Sequence, residues 1–493
     1  MKRWNLILIP CLFMLTACAP KISDVPQDSR ITLALSDSQE SVNTRWWEEF
    51  HNPALLHLLT QAREYHTQNK LAKTHIEAAQ NAIKVARAQL YPHASLGIDP
   101  AYNQTILHPI YALTQGSLDI SYHLDFFGKY RHAKQSKHYA LQASIAQSYA
   151  TRLLIDTLVA KTYITLLGSY ARLELLHTTL EARKRELEII QSRKNMGYIS
   201  AYDTKQAIIA YESVQAQIAD TKRAITGSKN VLKYLSGVDV DSEGFSRLQG
   251  FRVSGLETKE SSESDKSKVS TATNVFITLQ APKLPDTLSS KLLNNRPDVL
   301  YAEFMLASSS EYLQKARADF LPDFNLGLNL GAIGYENFTQ FLLIGGIGGS
   351  VLAPLFKGGE LTGMFGIANA QRDEAAYIYR DVVIRAYKEA KDAYANVAYI
   401  NLERTSTKKQ QKAAKEALEH AKERYDTGYS SYLEVIDAQR SLLEIETHLI
   451  ALKTLYYGIS VQSLWRAWRW DRISKGIIRR IAKKPIRGLR ISH

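Results

Sequence analysis

The sequence predicts a mainly α-helical chain with a membrane β-barrel portion, built as a tandem structural repeat of long antiparallel coiled-coil helices and four strands. Three observations predict it. Of the 13 prolines none lies between Ile110 and Ala281, whereas ordinary domains break their elements every dozen residues or so. Three short runs alternate strictly between apolar and polar residues, the period of a strand with two unlike faces, and a glycine-rich run supplies a fourth candidate strand. Blocks of identity recur at a fixed offset: Ala86, Arg87, Ala88 and Pro92 match Ala316, Arg317, Ala318 and Pro322 at 230 residues. Gly197, Tyr198, Ser200 and Ala207 match Gly428, Tyr429, Ser431 and Ala438 at 231.

Lys2 and Arg3 precede an apolar run from Leu6 to Leu15, too short to span a bilayer but right for a signal-peptide core. Residues 1–17 are therefore expected to be removed. The run ends in Leu15, Thr16, Ala17 and Cys18, which resembles the bacterial lipobox, so Cys18 is expected to carry a covalent lipid and to begin the mature chain. Ala19, where an aspartate would signal inner-membrane retention, favours the outer membrane. Residues 18–45 read as an acylated extended segment. Cys11 and Cys18 are the only cysteines, so disulfides and thiolate metal sites are excluded from the folded part.

The first repeat, 46–238, is expected to run helix, strand pair, very long helix, glycine turn, helix. Ala54 to Tyr91 contains neither Gly nor Pro, and Lys129 to Met196 has one glycine, Gly168. Between them Ala94, Leu96 and Ile98 oppose Ser95, Gly97 and Asp99, and Leu118 to Phe126 alternate in the same way. Residues 239–291 shift to Ser, Glu, Asp and Lys, the composition of a polar linker or equatorial segment. The second repeat, 292–465, returns the plan. Phe324, Leu326, Leu328 and Leu330 alternate with polar residues and glycine, a glycine-rich fourth strand is expected near Phe341 to Leu355, and Ile367 to Thr427 is 61 residues without Gly or Pro. That is about 90 Å of helix. The glycines near 345–349 lack the Gly-Lys-Ser/Thr ending of a phosphate loop and are read as close strand packing.

Four strands cannot close a membrane barrel, which needs at least eight. Two chains would give a barrel filled by side chains, and three give 12 strands around an aqueous lumen, so a homotrimer is expected. The formal charge of +13 is concentrated at the end: residues 466–493 carry ten Lys/Arg and one acid. The body is nearly neutral, so no nucleic-acid partner is expected. Trp468, Trp470, Ile473, Ile477, Ile478 and Ile481 among those cations outline a basic amphipathic helix for anionic lipid or another envelope polymer. No metal-ligand spacing or nucleophile elbow is present. The reading is therefore of no enzyme, no catalytic or metal residue and no cofactor beyond the lipid on Cys18.

From about Trp46 to Trp465 the chain resembles the TolC family of outer-membrane factors, in its lipoprotein branch of OprM- and NodT-type efflux channels. Arg296, Pro297, Asp298 and Val299, followed by Ala302 and Glu303, resemble the motif opening that branch's second repeat. Arg424, Tyr425, Gly428, Tyr432, Leu433, Asp437, Ala438, Gln439 and Arg440 resemble its turn motif. The resemblance implies a trimer with a 12-helix α-barrel continuing a shared 12-stranded β-barrel. It implies an outer-membrane channel passively conducting small molecules from a periplasmic adaptor (membrane fusion protein) and an inner-membrane pump of the RND type. It places adaptor docking at the turns holding Gly197, Tyr198, Gly428 and Tyr429. It maps a carboxylate-lined periplasmic aperture onto Glu434 and Asp437, with Asp203 a further acidic position. Where the archetype has an arginine two residues past the second turn glycine, this chain has Ser430, which puts a carboxylate–arginine latch in question. The alternatives are the outer channel of a type I protein secretion system and a non-conducting structural envelope lipoprotein.

Overall fold

A computed structural model describes residues 20–29, 46–105, 108–198, 200–242, 272–280, 296–335 and 340–466. Cys18, the basic tail beyond 466 and most of the 239–291 segment lie outside the described residues.

Helix α1, Pro53–Tyr65, starts where Asn52 accepts the Leu55 amide at 2.9 Å and Pro53 fills the first turn. Helix α2, Thr67–Ala88, follows after one extended residue, His66. The single helix expected from Ala54 to Tyr91 is thus broken. The His66 ring nitrogen accepts the Gln68 amide at 3.3 Å, capping α2, and the ring packs edge-on against Tyr234 at 5.6 Å. A side chain that caps the next helix competes with helix continuation at its own position.

Strands β1, His93–Thr105, β2, His108–Leu124, β3, Asp323–Tyr335, and β4, Gln340–Leu352, form one antiparallel sheet in the order β1-β2-β3-β4. Three of them, β1, β2 and β3, are longer than the alternation alone marks. β1 runs through Pro100, which stands opposite Thr114 of β2. Phe126, expected in β2, lies past its end and packs on Phe324 at 4.9 Å. The register stacks Ala94, Ile120, Leu328 and Ile347 in one cross-strand row and Leu96, Leu118, Leu330 and Gly345 in the next. That sheet face is therefore predominantly apolar, and Leu343 and Ile347 on it are 82% and 85% exposed in the single chain.

Helices α3, Lys129–Asn195, and α6, Glu360–Asp426, are each 67 residues, about 100 Å. Each follows a glycine in the left-handed region, Gly128 at φ 80° and Gly359 at φ 91°. α6 starts seven residues before Ile367, with Gly363 and Gly366 inside its first turns. Between them in sequence lie α4, Ala201–Ser236, and α5, Pro297–Ala318, and the chain's described part ends with α7, Tyr432–Arg466. α2 and α5, each 22 residues, occupy matching places in the two repeats.

The main core sits midway along α3. Leu55, Leu58 and Leu59 of α1 pack on Val159, Tyr163, Ile164 and Leu167 of α3, with Leu232 of α4 and Val461 of α7. Gly168 lets α7 approach closely, because a Cβ there would run into Thr454. Part of the expected linker is folded onto this core. Residues 272–278 are helical, Phe276 is buried, and Lys453 and Tyr457 of α7 donate to the Ile277 and Leu279 carbonyls at 3.0 and 2.5 Å.

Candidate functional site

The long helices end, away from the strands, in two equivalent turns. In the first, the Gly197 and Tyr198 amides return to the Lys194 and Arg193 carbonyls at 2.9 and 3.0 Å. In the second, Gly428 and Tyr429 return to Tyr425 and Arg424 at 3.1 and 2.8 Å. The i→i−5 bond closes the last carbonyls of each helix and needs a left-handed residue before it. Gly197 and Gly428 supply it at φ 83° and 79°. The turn geometry pushes Tyr198 and Tyr429 outward, 79% and 82% exposed. Two large rings stand at the end of the molecule, where nothing among the described residues covers them.

The acidic positions are placed unequally. Ser200 caps α4: its hydroxyl accepts the Asp203 amide at 3.1 Å and donates to the Asp203 carboxylate at 2.7 Å. Asp203 is thereby engaged in a reciprocal helix cap. Glu434 and Asp437 stand three residues apart on α7 and are exposed. Glu434 lies 3.7 Å from the Arg424 guanidinium and Asp437 3.8 Å from that of Arg440. Arg424 thus supplies a cation near Glu434 from the end of α6. The Ser430 hydroxyl is shielded from solvent and makes no hydrogen bond among the described residues.

Behind the turns, Ile190, Ala207, Ala210, Ala421, Tyr432, Val435 and Ile436 form a small apolar cluster. Glu186 on α3 ties it to the second repeat: the Tyr432 hydroxyl donates to it at 3.3 Å, Gln439 at 2.5 Å, and Lys422 lies 4.0 Å away. Burial pushes the Tyr432 phenol well above its ordinary value, and Glu186 adds to the effect. Burial likewise lowers the Arg183 guanidinium, with Glu186 opposing. The sequence reading missed Glu186 and Arg183, since neither stands out among the other charges of a highly charged helix.

The Arg296, Pro297 and Asp298 group lies elsewhere and does structural work. Arg296, 3% exposed, holds Asp298 through two hydrogen bonds of 3.1 and 2.7 Å and reaches Glu389 of α6 at 3.1 Å. Pro297 begins α5, and Asp298 accepts the Val299 amide at 3.0 Å. The motif starts α5 and fastens it to α6. Among the described residues no group of three or more His, Cys, Asp or Glu side chains is arranged to hold a metal ion. No described helix is long and apolar enough to cross a membrane.

An apolar-faced sheet whose strands continue into paired helices of about 100 Å defines one subunit of an envelope channel. The chain belongs to the outer membrane efflux protein family, whose model matches residues 58–238 and 288–467. It is similar to the pyoverdine export outer membrane protein OpmQ of Pseudomonas putida, 25% identical over 494 residues, covering 95% of this chain and 98% of that protein. It is similar also to the cation efflux system protein CusC of Escherichia coli O157:H7, 23% identical over 405 residues, covering 81% and 82%. Among solved structures, a CusC crystal structure superposes with a TM-score of 0.76 at 22% identity, covering 92% of this chain and 99% of that one. The Campylobacter jejuni CmeC outer membrane channel gives 0.76 at 21% identity, covering 93% and 96%. The protein is an outer-membrane component of an efflux system, as the resemblance implied.

Proposed function

We propose that three copies close into a 12-stranded barrel continued by a 12-helix tunnel, which passively conducts small molecules handed over by a periplasmic adaptor and an inner-membrane pump of the RND type. The observation that carries this is the sheet. Its edges β1 and β4 are unpaired among the described residues and one face is predominantly apolar, so edge pairing between copies satisfies the backbone and presents that face to lipid. Three is the smallest number of copies giving a water-filled lumen.

Adaptor hairpins dock on the turns at Gly197, Tyr198, Gly428 and Tyr429, where the exposed rings offer apolar surface. Asp203, Glu434 and Asp437 surround the aperture, with Glu434 and Asp437 as the carboxylates that no helix cap engages. In place of a latch at position 430, closure rests on the Glu186 contacts with Tyr432 and Gln439. Cys18 carries the lipid. In support, Ile22 packs beside Leu313, Ala316, Phe365 and Ala368, where α5 and α6 meet the strands, and Arg372 holds the Ser23 carbonyl at 2.6 Å. Ile22, four residues after Cys18 in sequence, thus sits near the membrane end of the molecule. The relatives named for pyoverdine export and cation efflux support a pump that selects the substrate and a conduit that does not.

The test is single-channel recording of the purified full chain, joined to drug accumulation in a deletion strain. Ohmic channels and raised accumulation are expected. Unchanged accumulation with loss of a secreted protein would overturn efflux, and absence of conductance from a confirmed trimer would overturn the pore.

A further inference from the structure

The polar face of the sheet bears a charge asymmetry that the tip does not explain. Strands β1 to β4 contain three aspartates, Asp99, Asp119 and Asp323, and neither lysine nor arginine. Asp323, at the helix end of β3, is balanced: Lys129 lies 3.5 Å away and the Tyr130 hydroxyl donates to it at 3.2 Å. Asp119 is not. The Ser117 hydroxyl donates to it at 2.9 Å and the Asn329 amide donates to its other oxygen. Both partners are neutral, so they fix the carboxylate without cancelling its charge. Among the described residues neither Asp119 nor Asp99 meets a cation.

The register shows where that charge lies. Ser95, Asp119, Asn329 and Gly346 form one cross-strand row, opposite in face to the leucine and isoleucine rows. With the apolar face against lipid, this row faces the lumen. A Cβ added at Gly327, Gly346 or Gly348 would meet nothing within 4 Å, so the wall beside Asp119 is bare and the carboxylate borders open space. Asp99 shares the face, two rows nearer the exterior. The histidines facing the same side are His93 and His123, towards the helix end.

We propose that Asp119, assisted by Asp99, makes the barrel lumen selective for cations, as an electrostatic filter separate from the helical tip. This rests on the trimeric pore. Twelve strands about 4.8 Å apart, tilted about 40°, give a backbone radius of about 12 Å, leaving each carboxylate about 8 Å from the axis. The Debye length is about 30 Å at 0.01 M salt, about 10 Å at 0.1 M and about 3 Å at 1 M. The filter therefore acts strongly in dilute salt and vanishes in concentrated salt. The tip, about 100 Å away along α3, is screened from it at all three concentrations.

The test uses the full-length trimer in planar bilayers of zwitterionic lipid at pH 8, above the range where imidazoles charge. Reversal potentials are read across 0.1 and 0.01 M KCl. Wild type is expected to favour K⁺ over Cl⁻, Asp119→Asn to reduce the permeability ratio by about twofold or more, and Asp119→Glu to retain it. The same factor is expected in an E434Q/D437N background, and all variants should conduct equally in 1 M KCl, which reads assembly separately. Wild-type conductance with an unchanged ratio in D119N overturns the filter alone, as does an effect that persists at 1 M. No wild-type conductance overturns the pore and the filter together.

Discussion

Helices α3 and α6 share their length, their opening glycine and their closing turn, yet they bury different things. Nineteen residues of α3 are buried, among them Ile155, Val159, Tyr163 and Leu167. Ten of α6 are buried, six of them alanine. At the offset of 231 residues set by Gly128 and Gly359, Ile155 matches Ala386 and Val159 matches Ala390. α3 touches α1, α2, α4, α5 and α7, whereas α6 packs chiefly on α5 and α7. α6 leaves Tyr399 and Leu402 68% and 65% exposed. Duplicated helices have thus divided the work: the first makes the core of the chain, and the second keeps a narrow alanine seam and leaves more of its surface exposed in the single chain.

The largest effect that separates the two lies at Asp156. Its carboxylate, 3% exposed, is held by Arg63 at 3.0 and 2.8 Å, and Arg63 stacks over Trp47 at 4.2 Å. Burial pushes the Asp156 carboxyl up while Arg63 pulls it down. Removing one partner of a buried pair costs about 3–5 kcal/mol, because the other charge stays behind. Asp156→Ala should therefore collapse the α1–α3 packing, read by denaturant unfolding, and a double change of Arg63→Met with Asp156→Leu should recover most of the loss. A mild D156A would mean that α3 is not the hub.

Next comes an exchange at matched positions. Ile155→Ala is expected to cost about 2–5 kcal/mol through the cavity it leaves. Ala386→Ile should cost about 1–3 kcal/mol by overpacking against Val299 and Val383. Equal and small effects would erase the distinction between core helix and seam helix.

A smaller effect is read as a pH slope. Glu303 on α5 is mostly buried beside Tyr379 of α6; burial raises its carboxyl above the ordinary 4.5 and lifts the Tyr379 phenol to about 12. The folded chain holds this proton more tightly than the unfolded chain. Its contribution is present in full below pH 4.5 and is lost as pH climbs through the raised value. Glu303→Gln should melt higher than wild type at pH 8, and the difference should shrink on acidification to pH 5. A pH-independent difference would refute the burial account.

Much of this was legible beforehand for identifiable reasons. The absence of Gly and Pro from Ile367 to Thr427 gave the long helix, and alternation at Leu118 to Leu124 gave the sheet face, because each pattern spans many residues. The break at His66 was hidden: its cause is a side chain turned onto the next helix and a ring, Tyr234, distant in sequence. Glu186 was hidden in the same way, since its partners Tyr432 and Gln439 lie some 250 residues away and no local spacing announces them. The positive-φ glycines of the tip were visible because the same turn is written twice.

The tip carries the division down to single carboxylates, and here the expected effects on stability are least. Asp203 of the first repeat accepts the Ser200 hydroxyl in the first turn of α4, so Asp203→Ala should cost about 0.3–1 kcal/mol of helix stability through the lost carboxylate at the helix N-terminus. Its counterpart Glu434, with Asp437, sits in exposed ion pairs, which contribute at most about 1 kcal/mol. Glu434→Gln and Asp437→Asn should leave the melting temperature nearly unchanged. If these side chains border the aperture, the same changes lower cation preference and alter conductance, most visibly in dilute salt. Melting and conductance measured on one preparation of each variant decide between the two roles. If E434Q or D437N destabilises as D203A does and leaves conductance untouched, the second-repeat carboxylates belong to the fold and the aperture assignment fails.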